Sequence, residues 1–196
     1  LDLLEKPGNT VGIAWAQWHM GELMALRGRR EEARRLLQRS FELRDQGGLA
    51  VFAAQSRLAL AELDLAENLL KEAEQGARAA MAEFEKAQSV RDQAWASLAL
   101  AEILLVQGAD SEVQRIWPRT LQQASESQCL EIRLRGTLLK SKLFEKGFLD
   151  ARGGLTEELQ LALRQASDAG LAELRLRLDL ELARLDLAGE KAEEGK

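Results

Sequence analysis

Few side chains in this chain are of the kind that make or break bonds. His19 is the single histidine, Cys129 the single cysteine, and tyrosine is absent. A general base needs a neighbour that sets its protonation, and no motif supplies one for His19; a lone histidine on a helix reads as a structural or surface group. Cys129 stands near Glu131, an acid where a reactive thiol needs a base, so a small buried hydrophobe is its expected role. No phosphate loop, dinucleotide fingerprint or nucleophile elbow occurs, and Gly47-Gly48 and Gly153-Gly154 are too short to cradle a phosphate. The expectation is a non-enzyme with no cofactor and no metal.

The residues that do recur suit recognition instead. Glu22, Glu62 and Glu102 fall forty residues apart, and so do Gly21, Ala61 and Ala101, then Gly28, Asn68 and Gly108, then Ala33, Ala73 and Val113. A period in this range marks a stacked array in which each unit is a helix, a tight turn and a second helix. Ala and Leu carry the hydrophobic total, Pro occurs twice, and strand-forming residues are scarce, so the chain reads as all-α.

Helices are expected at 10–27, 30–45, 49–67, 69–89, 92–107, 110–126, 129–146, 150–169 and 171–188. That gives three regions: residues 1–9 as the tail of a preceding repeat and a turn, 10–188 as four helix hairpins plus one unpaired helix, and 189–196 as a polar tail. Gly28, Asn68 and Gly108 sit where the first helix of a pair ends and the left-handed conformation is needed. Thr10 and Asp110-Ser111 are expected to cap helix starts. The second helices bury stripes spaced by three and four, through Ala33, Leu36, Leu37, Ser40 and Phe41, then Ala73, Gly76, Ala77, Ala80, Met81 and Phe84, then Val113, Ile116, Trp117, Thr120 and Leu121. Pro118 interrupts the third of these helices and should bend it. Around Gly153-Gly154 the reading favours a lengthened helix over a break capped by Thr156.

The spacing of Gly21, Gly28, Ala33, Leu37 and Ser40 resembles the tetratricopeptide repeat, and the likeness runs along nearly the whole chain; a HEAT-like array shares the period but not the paired Gly and Ala positions. The usual period of that family is 34 residues, and longer versions resemble arrays in bacterial multidomain regulators. The resemblance implies a right-handed α-solenoid of antiparallel helix pairs whose first helices line a concave groove for an extended peptide or a helix. On a helical wheel the groove row is Trp15, Glu22, Gln55, Glu62, Trp95, Glu102, Arg135, Lys142 and Arg184, with Lys146 and Arg177 adding to a basic half that follows an acidic half. The flanking rows are apolar and read as packing: Leu23, Leu63, Ile103, Leu143 and Leu185 on one side, Trp18, Leu58, Leu98, Leu138 and Leu180 on the other. At the positions of the family's carboxylate clamp for chaperone tails the chain has Trp18, Glu22, Ala59, Trp95 and Ala99, so that site does not carry over.

Partners are therefore expected to be a protein or peptide. Net charge is −5, and the blocks 1–48, 49–130 and 131–196 sum to +1, −5 and −1, none basic enough to attract nucleic acid. The sequence shows neither a membrane span nor a signal peptide. With one cysteine it suits a reducing cytoplasm. The expected function is a scaffold segment of a larger bacterial regulatory or signalling protein. The alternatives are an oligomerisation module acting through its open terminal helices, and a sensor of a small peptide or metabolite.

Overall fold

A computed structural model describes residues 10–149 and 154–194, with side chains described to 187. Nine helices and no strand occur among the described residues, each of the first seven starting twenty residues after the one before: α1 (Thr10–Leu26), α2 (Arg30–Gln46), α3 (Ala50–Ala66), α4 (Leu70–Lys86), α5 (Val90–Gln107), α6 (Asp110–Glu126) and α7 (Leu130–Glu145). The forty-residue unit is thus two equal halves. The rhythm then changes at α8 (Leu155–Asp168) and α9 (Ala172–Glu194).

The turns explain the regularity. Positive φ angles occur at Gly28, Gly48, Asn68, Gln88 and Gly108, again twenty apart. After each, the next amide donates to the carbonyl five residues back: Arg29 to Met24 at 2.9 Å, Leu49 to Arg44 at 2.9 Å, Leu69 to Asp64 at 2.8 Å, Ser89 to Phe84 at 3.0 Å and Ala109 to Leu104 at 3.0 Å. This closes the orphan carbonyls of one helix while starting the next. Three of the five are expected from the sequence; Gly48 and Gln88, between the second helix of one pair and the first of the next, complete the series.

Three sequence readings at the helix starts are corrected. Thr10, Asp110 and Ser111 lie inside their helices, where they serve as first-turn residues. Thr156 lies in the first turn of α8, and the capping position is Gly154 at φ 89°. The left-handed glycine makes a true helix start there in place of the lengthened helix expected from residue 150; 150–153 lie outside the described residues, as does the tail 1–9. At the other end α9 runs on to Glu194 through most of the segment read as a polar tail, because adding Ala, Glu and Lys to an existing helix avoids the cost of nucleation. α6 continues through Pro118.

The chain divides into two units, residues 1–113 and 114–196, with the boundary inside α6. In the first, α1, α3 and α5 touch one another in turn and form one layer, while α2 and α4 each pack between two consecutive members of it. The small residues at the recurring register set this spacing. A Cβ on Gly21 would stand 2.7 Å from Leu37 Cγ, and one on Gly76 would stand 3.0 Å from the Ala61 Cβ. Met24, Ala33, Leu37, Ala59 and Leu63 form a buried cluster under Trp18 and Leu36. Ion pairs add ties: Arg34 of α2 reaches Asp64 of α3 at 2.6 Å and Glu67 just after it at 2.5 Å, and Arg78 of α4 reaches Glu74 on its own helix at 2.8 Å and Glu112 of α6 at 2.7 Å.

In the second unit Leu134 and Leu138 of α7 join Leu155, Leu159, Ala162 and Ala166 of α8 and Leu174 and Leu178 of α9 in one core, with Leu182 and Leu185 packed against it. A Cβ on Gly136 would lie 2.7 Å from that of Ala124 on α6. Trp117, read as core, is half-buried. Leu23 and Leu180, read as packing members of the two apolar rows, are exposed. Among the described residues no helix is long and apolar enough to cross a membrane.

Candidate interaction surface

α1 carries Trp18 and His19 where the next two repeats carry Leu58 and Leu98, then Ala59 and Ala99, and Trp15 where they carry Gln55 and Trp95. Trp15, Trp18 and His19 share one face. Their rings touch: Trp15 to Trp18 at 6.1 Å edge-on, Trp15 to His19 at 4.5 Å, and Trp18 to His19 at 4.7 Å between centroids. Trp95 of α5 joins them, its ring 6.4 Å from that of Trp18 and its indole Nε1 donating to Glu62 Oε1 at 3.1 Å. Trp15 is 48 % exposed and Trp95 half-buried, so the cluster has an open edge and a fixed base. Such rings are the side chains most often found as anchors at interfaces.

Beneath the rings lies a charge. Arg44 of α2 is 1 % exposed, its Cζ 5.2 Å from the Trp18 ring and 5.8 Å from the Phe52 ring. Its Nη1 donates to the Phe52 carbonyl and to Ser56 Oγ, both at 2.9 Å. Ser56 in turn meets Ser40 at 3.1 Å, and Ser40 donates to the Ala14 carbonyl at 2.8 Å. Arg44 Nε and Nη2, however, are buried with no hydrogen-bond partner, as are Trp18 Nε1 and Gln17 Oε1. Burial pushes the guanidinium's pKa below its ordinary value, and the Glu22 carboxylate pulls it back up. Arg44 in turn helps lower the pKa of His19, whose first cause is its own burial.

Arg44 escaped the sequence reading, yet the repeat register contains it. It lies eleven residues after Ala33 on the buried stripe, where the two following units bury Phe84 and Ala124. Its supports Ser40 and Ser56 correspond to Ala80 and Ala96, also buried. An arginine where its own repeat pattern calls for an apolar residue was the available signal.

The structure sorts the remaining expected groove residues. Gln55 is a correction: it is buried, its Nε2 3.3 Å from Asp92 Oδ1, which also accepts from Arg91 at 3.1 Å, so it serves the α3 to α5 contact. Glu22, Glu62 and Glu102 are half-exposed on α1, α3 and α5 of the first unit. Glu22 lies 3.5 Å from His19 Nδ1, which gives the histidine a polar neighbour beside its two aromatic ones. Arg135, Lys142 and Arg184 belong to the second unit; Arg135 bonds Glu131 at 3.1 Å and Arg184 bonds Glu181 at 2.9 Å. Leu139, one turn after Arg135 on α7, and Glu181, one turn after Arg177 on α9, fall on the same helix faces and are buried, so the row is not an open strip throughout. Among the described residues no group of three or more His, Cys, Asp or Glu side chains converges as a metal site.

Comparison with family models, with curated proteins and with solved structures gave no match. The surface must be read from its own geometry.

Proposed function

We propose that the protein is an interaction module that docks a protein or peptide segment on the α1, α3 and α5 face of its first unit, in the manner of a tetratricopeptide-type α-solenoid segment within a larger bacterial regulatory protein. The observation that supports this is the aromatic cluster of Trp15, Trp18, His19 and Trp95, with Trp15 exposed at its edge. A fold made only for its own stability has little use for a half-exposed tryptophan set against a histidine ring. Glu22, Glu62 and Glu102 rim the same helices and set a preference for segments that are basic or neutral around their anchor.

Selection from a displayed random-peptide library against the intact chain tests the reading. Recovered peptides should bind Trp15→Ala and Glu62→Lys variants at least about tenfold more weakly, the scale of a hot-spot truncation. Peptides whose affinity ignores both changes while a substitution on α2 or α4 abolishes it sink the assignment.

A second reading, self-association through the terminal helix, is favoured by α9, where Leu176, Leu180 and Leu187 are all more than half exposed. Sedimentation over a concentration series with Leu180→Glu decides it; a chain that is monomeric throughout ends this reading.

A further inference from the structure

The guanidinium of Arg44 is satisfied on one side only. Nη1 is occupied by the Phe52 carbonyl and Ser56 Oγ, whereas Nε and Nη2, the pair forming the side-on fork, are buried without a partner. Buried donors in folded proteins are nearly always paired, and a desolvated guanidinium left half-paired is costly to keep. A third unpartnered donor, Trp18 Nε1, belongs to the ring lying 5.2 Å from Cζ. Nε and Nη2 present two parallel N–H bonds with no acceptor, and what fits that fork is a planar anionic oxygen pair, which a carboxylate supplies.

The repeat register shows that this arrangement is particular to one unit. Its successor fulfils the same structural duty with Phe84, Ala80 and Ala96 in place of Arg44, Ser40 and Ser56, all three fully buried. Packing alone therefore has an apolar solution in this very fold, and Arg44, Ser40 and Ser56 depart from it forty residues earlier at positions linked by hydrogen bonds. The departures sit beside Trp18, whose ring lies 5.2 Å from Arg44 Cζ and 6.1 Å from that of Trp15.

We propose that Arg44 is a docking point for one side-chain carboxylate, aspartate or glutamate, carried by a segment laid against Trp15. This deepens the reading of the α1, α3 and α5 face as the interaction surface and rests on it. Phe52, 40 % exposed with its ring 5.8 Å from Cζ, is the side chain that must turn aside to admit the carboxylate. Glu22 bears on Arg44 electrostatically, so the site disfavours a phosphate dianion or a run of acids and accepts one monoanion between apolar or basic neighbours. Neither Arg44 nor its supports occupies a position of the chaperone-tail clamp.

The test is a titration of the intact 196-residue chain, followed by NMR at the Arg44 Nε–H and the tryptophan Nε1–H signals. The probes are acetyl-Leu-Glu-Leu-amide, its Gln counterpart, propionate and inorganic phosphate. The glutamate peptide should shift the Arg44 and Trp18 signals saturably, and the Gln peptide should need at least about tenfold more, the scale of a lost hydrogen bond to a charged group. In the double variant Arg44→Phe with Ser56→Ala, which copies the apolar pattern of the following unit, the preference for Glu over Gln should vanish with helicity unchanged. Should that variant fail to fold, the parent titration decides alone. If both peptides shift Trp15 equally and leave Arg44 still, the face binds but the fork does not read acids, and only this proposal falls. No shift with any probe also overturns it. Propionate matching the peptide at equal concentration overturns the assignment to a side chain, and phosphate outcompeting both overturns the assignment to a carboxylate.

Discussion

Trp18 of α1 and Trp95 of α5 bring their ring centroids within 6.4 Å of each other, although their helices start eighty residues apart and α3 comes between them in the chain. On the α3 side Trp18 packs against a cluster that includes the small buried Ala59, which leaves its ring room to meet that of Trp95. The first and third helices of the layer are thereby tied by side chains, and that tie is what gives Trp15 a rigid backing.

Trp95 should therefore matter to stability and Trp15 to binding. Trp95→Ala removes the contact with Trp18 and the bond to Glu62 from a half-buried position. It should lower unfolding free energy by about 2 kcal/mol, roughly half the cost of truncating a fully buried tryptophan. Trp15→Ala at an exposed position should stay within about 1 kcal/mol. Urea midpoints compare the two, and equal losses refute the division of roles.

The close helix crossings predict a ranking of Gly→Ala changes. At Gly136 the new methyl meets the Cβ of Ala124 at 2.7 Å, a group fixed to the backbone of α6. At Gly21 it meets Leu37 Cγ at 2.7 Å, a side chain that can rotate in part, and at Gly76 it meets Ala61 Cβ at 3.0 Å. Overpacking typically costs about 1–3 kcal/mol, while alanine regains about 1 kcal/mol of helix propensity. Gly136→Ala should destabilise most, Gly21→Ala less, and Gly76→Ala should be nearly neutral. A Gly136→Ala protein that melts at or above the parent temperature contradicts the crossing geometry.

Gln88 is the counterpart case, a residue in the left-handed region at φ 52° where Gly48 holds the equivalent turn at 69°. A side chain there costs roughly 1–2 kcal/mol, partly offset by the backbone entropy that glycine loses. Gln88→Gly should raise stability by about 0.5–1 kcal/mol. Thermal melting with Asn68→Gly alongside checks it; the asparagine, which tolerates this region better, should gain less.

These turns also show what was legible in the sequence. The forty-residue register revealed Gly28, Asn68 and Gly108, but Gln88 carries no turn signature and Gly48 looked like half of a glycine pair, so the finer period of twenty stayed hidden. Helix type followed from Ala and Leu content. The boundaries of α8 and α9 did not, because Gly153-Gly154 fits either a weak helix interior or a start, and polarity after residue 188 says nothing against continuing a helix already formed. Arg44 was readable by aligning it with Phe84 and Ala124, whereas the burial of Gln55 required knowing that α3 meets α5 at Asp92. Wheel positions assign a face and leave open how closely the next helix approaches it.

His19 gives a pH dependence whose sign the site fixes. Burial first and the positive charge of Arg44 second lower its pKa from the ordinary 6.5, even though a Glu22 oxygen lies 3.5 Å from Nδ1. Between the lowered value and 6.5 the unfolded chain binds more protons than the folded one, so unfolding free energy rises with pH there. The contribution is complete above 6.5 and is lost as pH falls toward the folded value, the reverse of a histidine held by a salt bridge. Urea midpoints from about pH 7.5 to 5.5 should fall with acidity in the parent and fall less in His19→Gln, the window being set by the ordinary imidazole pKa. Arg44→Phe removes the second cause and should move the His19 imidazole pKa upward when followed by NMR. A steeper acid loss in His19→Gln than in the parent means that Glu22, and not Arg44 and burial, governs the ring.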